Sequence, residues 1–262
     1  MSRISVRFHE LKKRDEVGLA TYITAGYPDL GSTPRLVRAL VEGGADIIEL
    51  GVPFSDPLAD GATIQRASFR ALENGATLGY CLEVTRRARE GGIEAPLIFM
   101  GYYNPFLQYG LERLARDCQS AGVDGLIIPD LPPEEAGELA GHCRANGVDL
   151  IFMLAPTSTE ERIVRVCQMA SGFIYCVSLT GVTGARASLS PAVAPFLARV
   201  RRHTDLPLAV GFGISTRAHV EEVSRLAEAA VVGSVLIDLI DRTPQEEQAA
   251  IVASFVRDLK GA

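Results

Sequence analysis

Two carboxylates and a set of late glycine-rich turns are the residues of this sequence best placed to do chemistry. Glu49 lies in the apolar run Asp46-Ile47-Ile48-Glu49-Leu50-Gly51. With a strand's period of two, Ile47, Glu49 and Gly51 share one face and Ile48 and Leu50 the other. If the second face meets a helix layer, Glu49 points inward, where a carboxylate is costly to bury unless it is paired or protonated. Such a residue is either half of a structural ion pair or a proton carrier. The following loop, Val52-Pro53-Phe54-Ser55-Asp56-Pro57-Leu58-Ala59-Asp60-Gly61, adds two more carboxylates. Long ordered loops are more often functional than filler. An aspartate there can equally form an Asx turn or cap the helix that begins near Ala62.

An anion site is the second candidate. Gly181-Val182-Thr183-Gly184, Gly211-Phe212-Gly213-Ile214-Ser215 and Gly233-Ser234 each follow an apolar run in the last third of the chain. Glycines let the backbone approach an anion, and a helix start directs free N–H groups and its dipole at it. The alternative is that Gly211 and Gly213 serve only as turn residues. Tyr22, Met100, Tyr102, Phe173, Tyr175 and Phe212 fall near the ends of apolar runs. Singly these are core residues; together with the carboxylates and an anion site they suit a flat aromatic substrate. His9, His142, His203 and His219 all fall in helical segments, which argues against a catalytic or metal-binding histidine.

These residues need a scaffold, and the chain supplies a repeating one. Strand-like runs occur at 19–24, 46–51, 96–101, 124–129, 149–154, 172–177, 207–211 and 229–233. Helical periodicity follows at 32–43, 62–73 with 78–91, 107–121, 133–146, 159–170, 191–203, 215–226, and 234–240 with 244–260. Caps or early acids mark starts at Pro132-Pro133-Glu134-Glu135, Ser158-Thr159-Glu160-Glu161 and Ser215 or Thr216. Eight strand–helix units and no GxGxxG after the first strand favour a closed barrel over a doubly wound sheet. The expected fold is α/β, a single-domain (β/α)8 TIM barrel over residues 1–262, with an extra amphipathic N-terminal helix and extra loop helices. In such barrels the chemistry sits at the C-terminal ends of the strands.

Bulk properties exclude several partner classes. Lys+Arg number 26 against 32 Asp+Glu, net −6, which offers no electrostatic reason to bind nucleic acid or anionic lipid. Backbone amides can still hold a small phosphorylated molecule. The five cysteines show no CxxC or CxxH spacing and read as buried thiols of a reducing compartment. With no signal-like or spanning apolar run, a cytoplasmic protein without membrane contact is expected.

The block from Glu49 to Gly61 resembles the signature of the tryptophan synthase alpha chain family, and related motifs follow in the family's order. They are Thr24-Ala25-Gly26-Tyr27-Pro28, Tyr103-Asn104-Pro105, Pro129-Asp130-Leu131-Pro132, Gly181-Val182-Thr183-Gly184 and Gly211-Phe212-Gly213-Ile214. Tyr27 stands where many members carry an acidic residue. The resemblance covers essentially the whole chain and implies retro-aldol cleavage of indole-3-glycerol phosphate to indole and glyceraldehyde 3-phosphate. It implies Glu49 as general acid/base, Asp60 as the acceptor of the indole N–H, and Tyr175 in a supporting role. Tyr22, Ile64, Met100, Ile127 and Phe212 would line the indole pocket. Gly184, Gly213, Gly233 and Ser234 would hold the phosphate, and Thr183 would meet Asp60 on loop closure. Pro53, Asp56, Pro57, Asn104, Pro105, Asp130 and Pro132 would lie on the surface that docks a beta subunit in an alpha2beta2 complex. Pyridoxal phosphate would belong to that beta subunit, and this chain would carry no cofactor.

Overall fold

Each of the eight apolar runs forms a strand: β1 (Gly18–Thr24), β2 (Ile47–Gly51), β3 (Leu97–Met100), β4 (Gly125–Ile127), β5 (Asp149–Leu154), β6 (Ile174–Val177), β7 (Leu208–Gly211) and β8 (Ala229–Val232). The structure, a computed structural model, describes residues 2–178, 190–211 and 213–261. The strands are parallel and hydrogen-bonded in chain order, and β1 pairs with both β2 and β8, so the sheet closes into a barrel. The helices are α1 (Arg3–Arg14), α2 (Ser32–Glu42), α3 (Ala62–Glu73), α4 (Leu78–Glu90), α5 (Tyr103–Tyr109) and α6 (Leu111–Ala121). They continue as α7 (Gly137–Ala145), α8 (Glu160–Met169), α9 (Val193–Arg201), α10 (Arg217–Ser224), α11 (Ser234–Arg242) and α12 (Gln248–Lys260). Among the described residues no helix is long and apolar enough to cross a membrane.

Alternation along the strands builds two cores. Leu19, Ile23, Ile48, Leu50, Leu97 and Phe99 face outward and pack under the helices. Ala20, Ile47, Ile98, Ile127, Ile151, Ala209 and Ala229 fill the barrel interior. The expected N-terminal amphipathic helix is α1, started by the Ser2 hydroxyl accepting the Ser5 amide. Its Ile4, Phe8 and Leu11 join the interior core and close the barrel at the N-terminal ends of the strands. Phe8 meets Phe173 with ring centroids 5.8 Å apart. Phe173, grouped from the sequence with the aromatics of the open mouth, instead precedes β6 and belongs to the closed end.

Two local readings also change. The expected helix 107–121 is two helices, because Gly110 adopts φ 93°, a backbone conformation that glycine takes without a Cβ clash. Asn104 and Pro105 then fall in the first turn of α5, where proline's missing N–H costs no helical bond. Residues 132–136 form a turn, with the Glu135 amide donating to the Pro132 carbonyl, and α7 starts only at Gly137.

The closed end is held by a repeated device. The Leu19 amide of β1 donates to Asp46, just before β2, at 2.8 Å. The Leu97 amide of β3 donates to Asp124, just before β4, at 2.8 Å. The Leu150 amide of β5 donates to the Ser171 hydroxyl, ahead of β6, at 2.9 Å. The Leu208 amide of β7 donates to Glu228, just before β8, at 2.7 Å. Each leucine amide at the start of an odd strand is thus satisfied from the chain entering the next strand. The acids are neutralised in turn: Asp124 by Arg89 and Arg3, Asp46 by Lys260, and Glu228 by Arg201.

Candidate active site

At the opposite end, β2 places Glu49 inside the barrel with Ile48 and Leu50 turned to the helices, as the period of two requires. Glu49 is fully buried, and neither carboxylate oxygen has a hydrogen-bond partner among the described residues. The structural ion-pair alternative therefore finds no partner there. Burial raises the Glu49 carboxyl to about 8, so the group is protonated at neutral pH. Its neighbour across the β1–β2 ladder is Tyr22, whose hydroxyl shares a 3.2 Å hydrogen bond with Thr24. Tyr175, on β6, joins the interior core. Burial first, and then the charges of Asp60 and Glu49, push both phenols well above their ordinary range, so they remain protonated.

Two glycines make room for these rings. A Cβ on Gly51 would collide with the Tyr22 phenol, and one on Gly211 with the Tyr175 phenol. The ends of β2 and β7 are thus reserved for aromatic side chains reaching across from β1 and β6. Met100, half-buried, and Ile127, buried, end β3 and β4 in register with each other. Ile64 lies half-buried in the first turn of α3.

Asp60 enters from the loop between β2 and α3. The loop is pinned: the Phe54 amide donates to Ser68 at 2.9 Å, the Gln65 amide group to the Asp60 carbonyl at 2.9 Å, and the Asp60 amide to the Pro57 carbonyl at 3.1 Å. The helix-cap reading of Asp60 does not hold, since the cap position of α3 is Gly61 and carries no side-chain bond. Burial raises the Asp60 carboxyl to about 6, opposed by a hydrogen bond from Tyr102. Near neutrality the mouth therefore pairs a protonated carboxyl, Glu49, with an ionised one, Asp60. That combination can deliver a proton at one point while stabilising positive charge at another.

Gly233 caps α11, and helix geometry leaves the first amides of that helix without helical acceptors. Ser234 opens the helix and is exposed. Gly213 is exposed and adopts φ 86° after β7. These positions suit an anion at the end of the barrel that holds Glu49. Thr183, Gly184 and Phe212 lie outside the described residues. Of the expected docking residues, Asp56, Asn104 and Asp130 are exposed, Pro105 and Pro132 half-buried, and Pro53 and Pro57 buried. Leu58, in the same loop as Asp56 and Pro57, is 92% exposed.

A hollow of about 550 Å³ at the closed end, lined by Arg7, Arg38, Asp46 and Lys260 among others, lacks the same potential. Its buried carboxylate, Asp46, is already bound to Lys260 at 2.8 Å and to the Leu19 amide. Among the described residues no group of three or more potential metal ligands occurs.

Comparison with known proteins gives one consistent result. Residues 8–260 match the family model described as tryptophan synthase alpha chain. A tryptophan synthase alpha chain of Roseiflexus sp. (strain RS-1) is 58% identical over 261 residues, covering 100% of both chains. One from Chloroflexus aggregans is 51% identical, covering 100% of this chain and 98% of the relative. Among solved structures, Mycobacterium tuberculosis tryptophan synthase aligns with a TM-score of 0.91 at 36% identity, over 99% of this chain and 97% of that one. Tryptophan synthase subunit alpha of Legionella pneumophila aligns with a TM-score of 0.89 at 36% identity over 100% of both.

Proposed function

The chain belongs to the tryptophan synthase alpha chain family, and we propose that, as one barrel domain, it performs the retro-aldol cleavage of indole-3-glycerol phosphate with Glu49 and Asp60 as its working carboxylates. The observation that carries this reading is the buried Glu49 carboxyl, without a hydrogen-bond partner among the described residues and protonated up to about 8.

Glu49 donates its proton to C3 of the indole ring, which turns the ring into an electron sink. Positive charge spreads to the ring nitrogen, and the ionised Asp60 accepts the N–H hydrogen bond that strengthens as the charge grows. The bond from C3 to the glycerol side chain then breaks, and its electron pair restores the neutral indole. The departing carbinol loses its hydroxyl proton and becomes the aldehyde of glyceraldehyde 3-phosphate. That proton returns to Glu49, so the enzyme ends as it began. Tyr175 and Tyr22, held protonated beside Glu49, keep the site shaped and dry.

Tyr22, Ile64, Met100, Ile127 and Phe212 form the indole pocket in this reading. The phosphate is held chiefly by backbone amides at Gly184, Gly213, Gly233 and Ser234 rather than by arginine or lysine. Thr183 contacts Asp60 when the loop after β6 closes. Pro53, Asp56, Pro57, Asn104, Pro105, Asp130 and Pro132 face a beta subunit, which receives the indole and holds the pyridoxal phosphate in an alpha2beta2 assembly. Pro53 and Pro57 are buried, and so shape the docking loop while exposed Asp56 makes contact. The setting expected for this reaction is the cytoplasm.

The test is indole release from indole-3-glycerol phosphate by the pure chain, with and without a beta subunit. Release that accelerates with the partner supports the reading. Absence of release in both conditions overturns it.

A further inference from the structure

We propose that Tyr102 is a positioning residue for Asp60, and that Asp130 holds Tyr102 in place through the first amide of α5. The proposal rests on the assignment of Asp60 above and adds residues to it.

Tyr102 is buried and directly follows Gly101, at the junction between β3 and α5. Its hydroxyl accepts the Ala59 amide at 2.9 Å, one residue from Asp60. A phenol that accepts through its oxygen keeps its own proton to donate, and Asp60, whose carboxyl Tyr102 lowers, is the group placed to take it. The Tyr102 ring also packs on Phe54, with centroids 5.4 Å apart. Phe54 lies toward the other end of the loop that carries Asp60, and Ser68 fastens it to α3. One side chain therefore grips the loop at Phe54 and again at Ala59, next to Asp60.

Tyr102 is in turn fixed from a third loop. It occupies the cap position of α5, extended at φ −88° and ψ 153°, and no side chain of its own segment caps the helix. The Tyr103 amide instead donates to the Asp130 carboxylate at 2.9 Å. Asp130 follows β4 and is exposed. Asp130 holds the Tyr103 amide, and the adjoining Tyr102 hydroxyl holds the Ala59 amide beside Asp60, so the loops after β4, β3 and β2 are tied together. Anything that touches Asp130 from outside thereby bears on the carboxylate inside.

The titratable groups around Asp60 are Tyr22 from β1, Tyr175 from β6 and Tyr102 itself, with Glu49 from β2 acting on the first two and Asp130 on Tyr102. All three phenols are raised above their usual range. Glu49 titrates on the alkaline side. An acid limb in the rate profile therefore reports Asp60. Removing the Tyr102 hydroxyl removes the bond that holds this carboxyl down, so the limb moves to higher pH.

The experiment compares Tyr102→Phe, Asp130→Ala and Asp60→Asn with the unaltered full-length chain in pH profiles of indole release. Tyr102→Phe should lower kcat by about tenfold at pH 7, the scale of losing one hydrogen bond to a charged group, with KM changed by less than about twofold. Its acid limb should rise above that of the parent, and Asp130→Ala should shift the limb the same way by less. A purely structural role would instead lower the melting temperature and leave the limb in place, which overturns the proposal. If Tyr102→Phe fails to fold, the limb of Asp130→Ala decides by the same criterion. Asp60→Asn separates the two levels. If it is inactive while the limb of Tyr102→Phe is unmoved, the positioning claim fails alone; if it is fully active, the role of Asp60 fails and takes this proposal with it.

Discussion

The two ends of the barrel treat buried carboxylates in opposite ways. At the closed end, Asp124 has a side chain only 5% exposed and is surrounded: the Leu97 amide, Arg89 and Arg3 all bind it. Burial still raises its carboxyl, but those donors work against the shift. At the open end, Glu49 is equally buried and has no hydrogen-bond partner among the described residues, so burial acts unopposed. A paired carboxylate secures strands, and its donors oppose the rise that burial causes. An unpaired one becomes a weak acid that holds a proton at neutral pH and can give it up. The contrast separates stability from chemistry along the barrel axis, as expected for this architecture.

The largest effects should come from breaking each end by its own logic. Glu49→Gln keeps the shape and removes the exchangeable carboxyl proton, so indole release should fall by ~10²–10⁴-fold while the circular dichroism spectrum is unchanged. Asp124→Ala should do the reverse. It removes the carboxylate that Arg89 binds, leaving that guanidinium, 12% exposed, on backbone carbonyls alone, and should cost roughly 3–5 kcal/mol in denaturant unfolding, while kcat per folded molecule holds. Retained stability in Asp124→Ala would show that the closed end does not depend on its ion pairs.

How far this contrast could be read from the sequence depended on distance along the chain. Glu49 was legible because its flanking residues, Ile48 and Leu50, set its direction by the period of two. The pairing of Asp46 and Asp124 was not, because Lys260 and Arg89 come from helices far along the chain and only barrel closure brings them in. Phe173 was misplaced for a related reason. Its apolar run was recognised, but it starts that run, and in a parallel barrel the start of a strand lies at the closed end, against Phe8. The division between α5 and α6 was carried by one glycine, Gly110, inside a pattern that otherwise continues as a helix. The hydrogen bond from the Tyr103 amide to Asp130 could not be read at all, since nothing local ties a backbone amide to a carboxylate on the next βα loop.

A smaller effect sharpens the comparison through pH. The Glu49 carboxyl is raised from 4.5 to about 8, so the folded state prefers it protonated. The stability this contributes is fully present below the unfolded value near 4.5 and is lost as pH rises through about 8. Glu49→Gln, which cannot ionise, escapes that loss. Its unfolding free energy relative to the parent should therefore climb between pH 5 and pH 9, by up to about 4 kcal/mol. A difference that stays flat with pH would mean that Glu49 ionises in the folded protein as it does in water.

The ionisation of Glu49 can also be observed without activity or unfolding. Carbon-13 NMR of the side-chain carboxyl in chain labelled at glutamate, with the Glu49 signal assigned by its loss in Glu49→Gln, follows the group through a pH titration of the native protein. A midpoint near 8 is the expected result. A midpoint near the ordinary glutamate value of about 4.3 would contradict the account, because Glu49 would then hold no proton to give at neutral pH.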